Sequence, residues 1–137
     1  MIRRAELADL REVVDLCNRF HSYSPWQTIP FDEVAMGRFI IGLIQNGVVF
    51  LSEEGLCAGL LNPLYFNPAF VVAVEMLWFA PKGGRELRKA FEEWAAEQGA
   101  QAVQFSALGD DRAATVARLF ARAGYAPVET GFLKRID

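Results

Sequence analysis

The sequence predicts a mixed α/β domain in which helices cover a central sheet, and two observations carry this prediction. Residues 70–79 form a nearly continuous apolar run rich in valine, which is typical of a strand buried on both faces. Residues 85–98 place their apolar side chains on one helical stripe, and Gly99 follows where helices commonly end. With 53% hydrophobic and 23% charged residues, the chain is predicted to be one globular domain over residues 1–137.

The other elements follow from apolar periodicity and from turn residues. Further helices are predicted over residues 9–20, from Pro30 or Asp32 to residue 46, and from a cap at Asp110-Asp111 through Arg122. Further strands are predicted at residues 2–4, 48–52, 56–61 and 102–107, with one or two more within residues 128–136. The predicted order is therefore β-α-α-β-β-β-α-β-α-β.

Composition narrows the class of function. A net charge of −3 argues against a general nucleic-acid binder, and no apolar run reaches membrane-spanning length, so we expect a soluble, cytoplasmic protein. Cys17 and Cys57 lie in apolar patterns, which predicts two buried free thiols, and the single histidine excludes a His-rich metal site. The hydrophobic fraction leaves room for an apolar groove or a homodimer face.

The start of the helix at residues 85–98 has an unusual charge. A helix N-terminus is electropositive and favours acidic residues, yet Lys82, Arg85, Arg88 and Lys89 surround this one, with Glu86 as the nearby acid. The adjacent glycines at 83 and 84 would let a polyanion approach the main chain closely. The alternative is a tight turn followed by a solvated basic face, and these residues alone leave both interpretations open.

Five segments stand out when they are taken together: Ile2-Arg3-Arg4-Ala5, residues 53–59, residues 75–87, residues 117–125, and Phe132-Leu133-Lys134. In that order they resemble the first strand, the following hairpin, the fourth strand with its pyrophosphate loop and helix, the C-terminal helix and the last strand of the GNAT superfamily of acetyl-CoA-dependent N-acetyltransferases. The segment His21-Ser22-Tyr23-Ser24-Pro25 resembles a compact subgroup from phages and bacteria. The resemblance implies a three-layer fold with a mixed, mostly antiparallel, twisted sheet.

The resemblance also implies a function and its residues. It implies direct transfer of an acetyl group from acetyl-CoA to a primary amine of a small molecule or protein, in a ternary complex. The implied acetyl-CoA contacts are Leu77, Trp78, Phe79, Lys82, Gly83, Gly84, Arg85 and Glu86. The implied acceptor-side residues are His21, Ser24 and Tyr125, although His21 is equally a candidate helix cap.

Glu75 is the most informative single residue, because it is the one charge in the run from Pro68 to Pro81. Burial would raise the pKa of its carboxyl group, which suits a general base, and its place matches the catalytic glutamate of several family members. It could instead bind the acceptor without moving a proton, or accept hydrogen bonds structurally from main-chain N–H groups near the first helix.

Two departures from the family pattern support an alternative function. The phosphate loop is shortened, with Lys82 where its first glycine is expected, and Phe120 replaces the tyrosine that protonates the departing thiolate in many relatives. That acid is absent, comes from elsewhere, or is water. The alternative is a non-catalytic GNAT-like module that binds acyl-CoA or a protein.

Overall fold

A computed structural model describes residues 1–136, which group into two compact units, residues 1–106 and the residues from 107. The strands of the first unit are β1 (Arg3–Arg4), β2 (Val48–Leu51), β3 (Leu56–Leu64), β4 (Asn67–Phe79) and β5 (Ala102–Gln104). Its helices are α1 (Leu10–Tyr23), α2 (Glu33–Asn46) and α3 (Gly84–Glu97), with a short 3₁₀ turn at Leu7–Asp9 before α1. This succession confirms the predicted order as far as β5.

The five strands form one sheet in the order β1-β2-β3-β4-β5. Strands β1 to β4 pair antiparallel, whereas β5 pairs parallel to β4. A parallel pair needs a long crossover, and α3 supplies it. The predicted mixed, mostly antiparallel sheet is therefore confirmed.

The sheet is the middle layer of the first unit. Val49 and Leu51 of β2 face a core built with α1 and α2, while Val48 and Phe50 face a second core built with α3. Successive strand residues point to opposite faces, so a strand that is buried on both sides is apolar throughout. The predicted α3 stripe is confirmed, because the helix buries Leu87, Phe91, Trp94 and Ala95.

Strand β4 carries a bulge opposite Ala58 and Gly59. Ala58 pairs with Leu77 and Gly59 pairs with Glu75, which leaves Met76 without a partner in β3. A Cβ atom at Gly59 would meet the carbonyl oxygen of Val74 and lie 2.7 Å from Phe91 Cζ, so only glycine permits this approach. Because a bulge bends and twists its strand, β4 changes direction directly after Glu75.

Some strand boundaries differ from the predicted ones. β3 passes through Asn62 and Pro63, because the sheet tolerates proline at the register irregularity that follows Pro63. β4 begins at Asn67, after a two-residue turn. β5 ends at Gln104 instead of residue 107, because β4 has turned away from it by then.

The second unit contains α4 (Ala113–Arg122). The predicted cap at Asp110-Asp111 is wrong, because the N-cap of α4 is Arg112 and no side chain caps this helix. Asp110 Oδ1 instead accepts a hydrogen bond from the Arg112 main-chain N–H across 2.9 Å, in the turn before the helix. The prediction of strands within residues 128–136 is wrong, because this segment forms no ladder with any described strand. Its adjacent apolar residues Phe132 and Leu133 also break the alternation that gives a strand one buried face.

Among the described residues, no helix combines the length and the apolar character needed to cross a membrane.

Candidate functional site

The ladder between β4 and β5 stops halfway along β4. Its rungs join residues 72–74 to residues 102–104, and beyond them β4 continues to Phe79 while paired with β3 alone. No described strand lies against the outer edge of β4 over residues 75–79, which we call the open edge. An open edge presents main-chain N–H and C=O groups that an extended ligand can pair with.

Glu75 lies where the two strands separate. The residue is 9% exposed, and its Oε2 atom accepts a hydrogen bond from the main-chain N–H of Ser106 across 3.1 Å. Within residues 1–136, no other hydrogen bond reaches this carboxylate, and no fully buried side-chain oxygen lacks a partner. Oε1 therefore keeps access to solvent while Oε2 is held. The alternative of a structural acceptor for main-chain N–H groups near the first helix is wrong in its location only, since Glu75 does accept a main-chain N–H but the donor follows β5.

Burial raises the pKa of the Glu75 carboxyl group from its ordinary value near 4.5 to about 7. Removal from water disfavours the charged carboxylate, whereas the Ser106 N–H favours it and lowers the pKa in part. A carboxyl group that titrates near neutral pH can take up and release protons under ordinary conditions. The environment of Glu75 therefore suits an acid–base group.

The segment that holds Glu75 is fixed by aromatic packing. Phe105 contacts the Trp78 ring of β4, with ring centroids 5.2 Å apart, and the Phe91 ring of α3 at 5.5 Å. Both contacts are edge-to-face, a favoured arrangement for aromatic pairs. Ser106 follows directly, so its N–H has a defined position. A local sequence pattern does not predict this partner, because it lies 31 residues from Glu75.

The glycine turn lies at the far end of the open edge. Gly83 is the N-cap of α3 and has a φ of 72°, in the left-handed region that favours glycine. Trp78 Nε1 donates a hydrogen bond to the carbonyl oxygen of Gly84 across 3.1 Å. The first turn of α3 is therefore tied to β4, with its N-terminal N–H groups next to the turn.

Only some of the basic residues around this turn are placed to meet a ligand there. Arg88 pairs with Glu92 across 2.6 Å, and Lys89 lines a shallow groove of about 450 Å³ beside β1. Lys82 and Arg85 are exposed beside the turn. Glu86 lines the same groove as Lys89, so its main-chain N–H, and not its like-charged carboxylate, is the group suited to a phosphate.

The acceptor-side candidates of α1 hold the chain that follows the helix. His21 Nε2 donates to the carbonyl oxygen of Ile29 across 2.6 Å, and its ring packs on Phe31. The Ser24 hydroxyl donates to the His21 carbonyl oxygen at 2.9 Å and accepts from the Trp26 N–H at 3.2 Å. Ser24 is buried and its hydroxyl is occupied by the main chain, so the structure gives it a structural role.

One aromatic contact connects this region to the open edge. The Phe20 ring of α1 stacks on the Phe79 ring of β4, with centroids 5.3 Å apart. Glu75, the residues from Leu77 to Phe79, the glycine turn and the end of α1 are thus brought together in the first unit.

Tyr125 belongs to the second unit. Its ring contacts the Phe120 ring, with centroids 5.1 Å apart, and its N–H donates to the Phe120 carbonyl oxygen. The predicted acceptor-side role of its hydroxyl stays a prediction.

Both cysteines are buried and free, as predicted. Burial raises the pKa of Cys17 to about 12, and burial together with the charges of Glu75 and Glu92 raises the pKa of Cys57 further. A thiol of such high pKa is a poor nucleophile at neutral pH.

Comparison with solved structures identifies the fold. A predicted acetyltransferase from Clostridium acetobutylicum, in a structure with acetyl-CoA, matches with a TM-score of 0.74 and 13% identity over 98% of this chain and 95% of its own. An aminoglycoside acetyltransferase from an uncultured soil sample, in complex with trehalose, matches with a TM-score of 0.69 and 18% identity over 100% of this chain and 96% of its own.

Glucosamine-6-phosphate N-acetyltransferase from Arabidopsis thaliana matches with a TM-score of 0.68 and 11% identity over 100% of this chain and 98% of its own. No family model matches the sequence, and no curated protein matches it. The likeness is therefore one of structure over nearly the whole length of the chain. The chain has the fold of the GNAT acetyltransferases.

Proposed function

We propose that this protein is an N-acetyltransferase that transfers the acetyl group of acetyl-CoA directly to a primary amine. The observation that carries the proposal is the position of Glu75. It is a buried carboxylate at the start of an open strand edge, with one oxygen held and the other accessible. A proton acceptor beside an extended binding edge is what amine acylation requires.

The open edge and the glycine turn form one continuous surface for acetyl-CoA. The pantetheine arm pairs with the β4 edge at Leu77, Trp78 and Phe79, and an N–H of that edge stabilises the negative charge that develops on the thioester oxygen. The diphosphate lies at the turn, against the N–H groups of Gly84, Arg85 and Glu86, with Lys82 and Arg85 as counter-charges. A Cβ atom at Gly83 would lie 3.8 Å from the Oε2 atom of Glu86, so the main chain is open to a ligand and the Glu86 carboxylate borders the approach.

Glu75 removes a proton from the ammonium form of the acceptor. The neutral amine nitrogen then forms a bond to the thioester carbonyl carbon, and the carbon–sulfur bond breaks. The sulfur leaves as a thiolate, which takes a proton from solvent water, and the second amine proton is released to solvent. Phe120 has no hydroxyl to donate, so water supplies this proton.

The acceptor is a small molecule or protein that presents a primary amine. Two proteins with this fold are described as acting on an aminoglycoside and on glucosamine-6-phosphate. The side of the site that selects the acceptor includes the segment after α1, which His21 fixes through Ile29. Tyr23, the last residue of α1, and Trp26 in this segment are exposed and available to a ligand.

A second candidate is a non-catalytic module that binds acyl-CoA. It is favoured by the shortened loop, in which Pro81 has no N–H to offer, and by Phe120. This candidate predicts binding of acetyl-CoA without release of thiol in the presence of any amine.

The test is a screen of amine acceptors with the wild-type protein, in which release of the CoA thiol is measured. We expect thiol release with at least one class of primary amine, and a loss of about a hundredfold or more in kcat for Glu75→Gln. Glu93→Gln is the matched control, because Glu93 is exposed on α3 and lines the groove beside β1. Acetyl-CoA binding without turnover across the screen would favour the second candidate.

A further inference from the structure

The hydrogen bond between Ser106 and Glu75 takes the place of a rung in the sheet. The ladder of β4 and β5 ends at Val74 and Gln104, and the main-chain N–H of Ser106 lies beyond the last rung. With β4 bent away by the bulge at Met76, this N–H meets the carboxylate of Glu75 instead. A side-chain oxygen therefore spans the point where the strands separate.

The donor is held independently of the carboxylate. Phe105 is wedged between Trp78 on β4 and Phe91 on α3, and Phe91 is fully buried. Aromatic contacts on two different elements fix the chain on the N-terminal side of the Ser106 amide. The N–H is thus in place before any ligand arrives.

The bond also selects an orientation of the carboxylate. A carboxyl group that is hydrogen-bonded through one oxygen loses most of its freedom of rotation, and its second oxygen points in a fixed direction. Here the held atom is Oε2, and the atom with solvent access is Oε1. A base with a fixed direction is already aligned for its proton transfer.

We propose that the main-chain N–H of Ser106, held in place by Phe105, is the positioning group that aims Oε1 of Glu75 at the acceptor amine. Ser106 acts through Glu75 and has no contact with the reacting atoms. The proposal rests on the proposed function of Glu75 as the base, and it adds the residues that orient that base.

Among the described residues, few charged or titratable groups surround Glu75, so its protonation can be followed without interference from a neighbour. Cys57 on β3 is buried, and its pKa is raised well above neutral by burial and by the charges of Glu75 and Glu92. On α3, Glu92 is paired with Arg88. The thiol is therefore not expected to change charge near neutral pH.

The first test is an amide NMR titration of the wild-type protein from about pH 5 to about pH 9, following the Ser106 N–H. Because this amide donates to a carboxylate whose pKa is about 7, its resonance should shift with the same midpoint. Glu75→Gln should abolish the pH-dependent shift of this resonance. Ser106→Ala keeps the main-chain N–H, so the shift should remain. A Ser106 amide that does not titrate in the wild-type protein would overturn the proposal.

The second test removes the donor with Ser106→Pro. The loss of a hydrogen bond to a charged group should lower kcat about tenfold or more, raise the midpoint of the kcat/KM pH profile, and leave acetyl-CoA affinity nearly unchanged. An unchanged pH midpoint in a folded Ser106→Pro protein would contradict the proposal. If this variant does not fold, the wild-type titration decides alone.

The two tests separate this proposal from the proposed function. A titrating Ser106 amide in a protein that acetylates nothing would refute the enzyme and keep the contact. Turnover that depends on Glu75, together with a Ser106 amide that does not titrate, would keep the enzyme and refute the positioning role.

Discussion

The indole N–H of Trp78 is hydrogen-bonded to the carbonyl oxygen of Gly84, across 3.1 Å, and this bond joins the end of β4 to the first turn of α3. The open edge and the glycine turn are consequently parts of one rigid corner. A ligand that spans both, as acetyl-CoA would, needs their relative position to be fixed before it binds.

Trp78→Phe should therefore weaken CoA binding. It deletes a hydrogen bond of about 1 kcal/mol and keeps an aromatic ring, so we expect CoA affinity to fall about threefold to tenfold by calorimetric titration. Binding of S-acetylpantetheine, which lacks the diphosphate, should change less. Trp94→Phe is the matched control, because Trp94 is also packed at α3 but lies at the other end of that helix. Equal losses of CoA affinity in the two variants would contradict the role assigned to Trp78.

Gly83→Ala should destabilise the turn. Its φ of 72° costs a residue with a Cβ atom about 1–2 kcal/mol, although nothing crowds the added methyl group. Gly84→Ala is the control, since its added Cβ would be in ordinary contact with Trp78, at 3.4 Å, and its φ is not positive. Thermal unfolding should show the larger loss for Gly83→Ala, and an equal or smaller loss would count against the left-handed turn.

The pH dependence of stability should report the burial of Glu75. Because its pKa in the folded protein is raised to about 7, the folded state binds this proton more tightly than the unfolded chain does. The contribution of Glu75 to the free energy of unfolding should therefore be fully present below about pH 4.5 and fall by about 3 kcal/mol as the pH rises through 7.

Glu75→Gln should remove this loss, while its side-chain oxygen can still accept from the Ser106 N–H. Denaturant titrations across the pH range measure the difference, with Glu93→Gln as the control that keeps the wild-type slope. A Glu75→Gln protein with the same pH dependence as the wild type would refute the raised pKa.

Gly59→Ala tests the bulge that bends β4. The added methyl group would collide with the Val74 carbonyl and the Phe91 ring, so we expect a loss of about 3 kcal/mol in the free energy of unfolding. Gly42→Ala, in the open middle of α2, should instead add about 1 kcal/mol. A mild effect of Gly59→Ala would mean that β3, β4 and α3 are less closely packed than the structure shows.

Sequence periodicity predicts the helices that bury one face and the strands that are buried on both faces. The α3 stripe and the valine-rich centre of β4 are as predicted, because each pattern follows from local geometry. Strand β4 begins at Asn67, three residues before the predicted start at Phe70, and Tyr65 and Phe66 in the turn before it are not typical turn residues. The prediction of strands within residues 128–136 is wrong, because strand pairing depends on a partner strand that a local pattern does not contain.

Some features of the candidate site can also be predicted from the sequence, and others cannot. Glu75 is recognisable from the sequence as one charge in a buried strand, and Gly83 as a turn residue. The partner that holds Glu75 is not, because the Ser106 N–H carries no side-chain signal and lies beyond a different strand. The bond from His21 to Ile29 was missed for a similar reason, since any residue could supply that carbonyl oxygen.

Calorimetric titration of the wild-type protein with acetyl-CoA tests the central claim most directly. The corner formed by the open edge of β4 and the glycine turn predicts one site per chain, with a dissociation constant in the micromolar range. Trp78→Phe should weaken it, and Glu75→Gln should leave it nearly intact. No detectable heat of binding at about 1 mM acetyl-CoA would contradict the acetyl-CoA site and the N-acetyltransferase proposed on it.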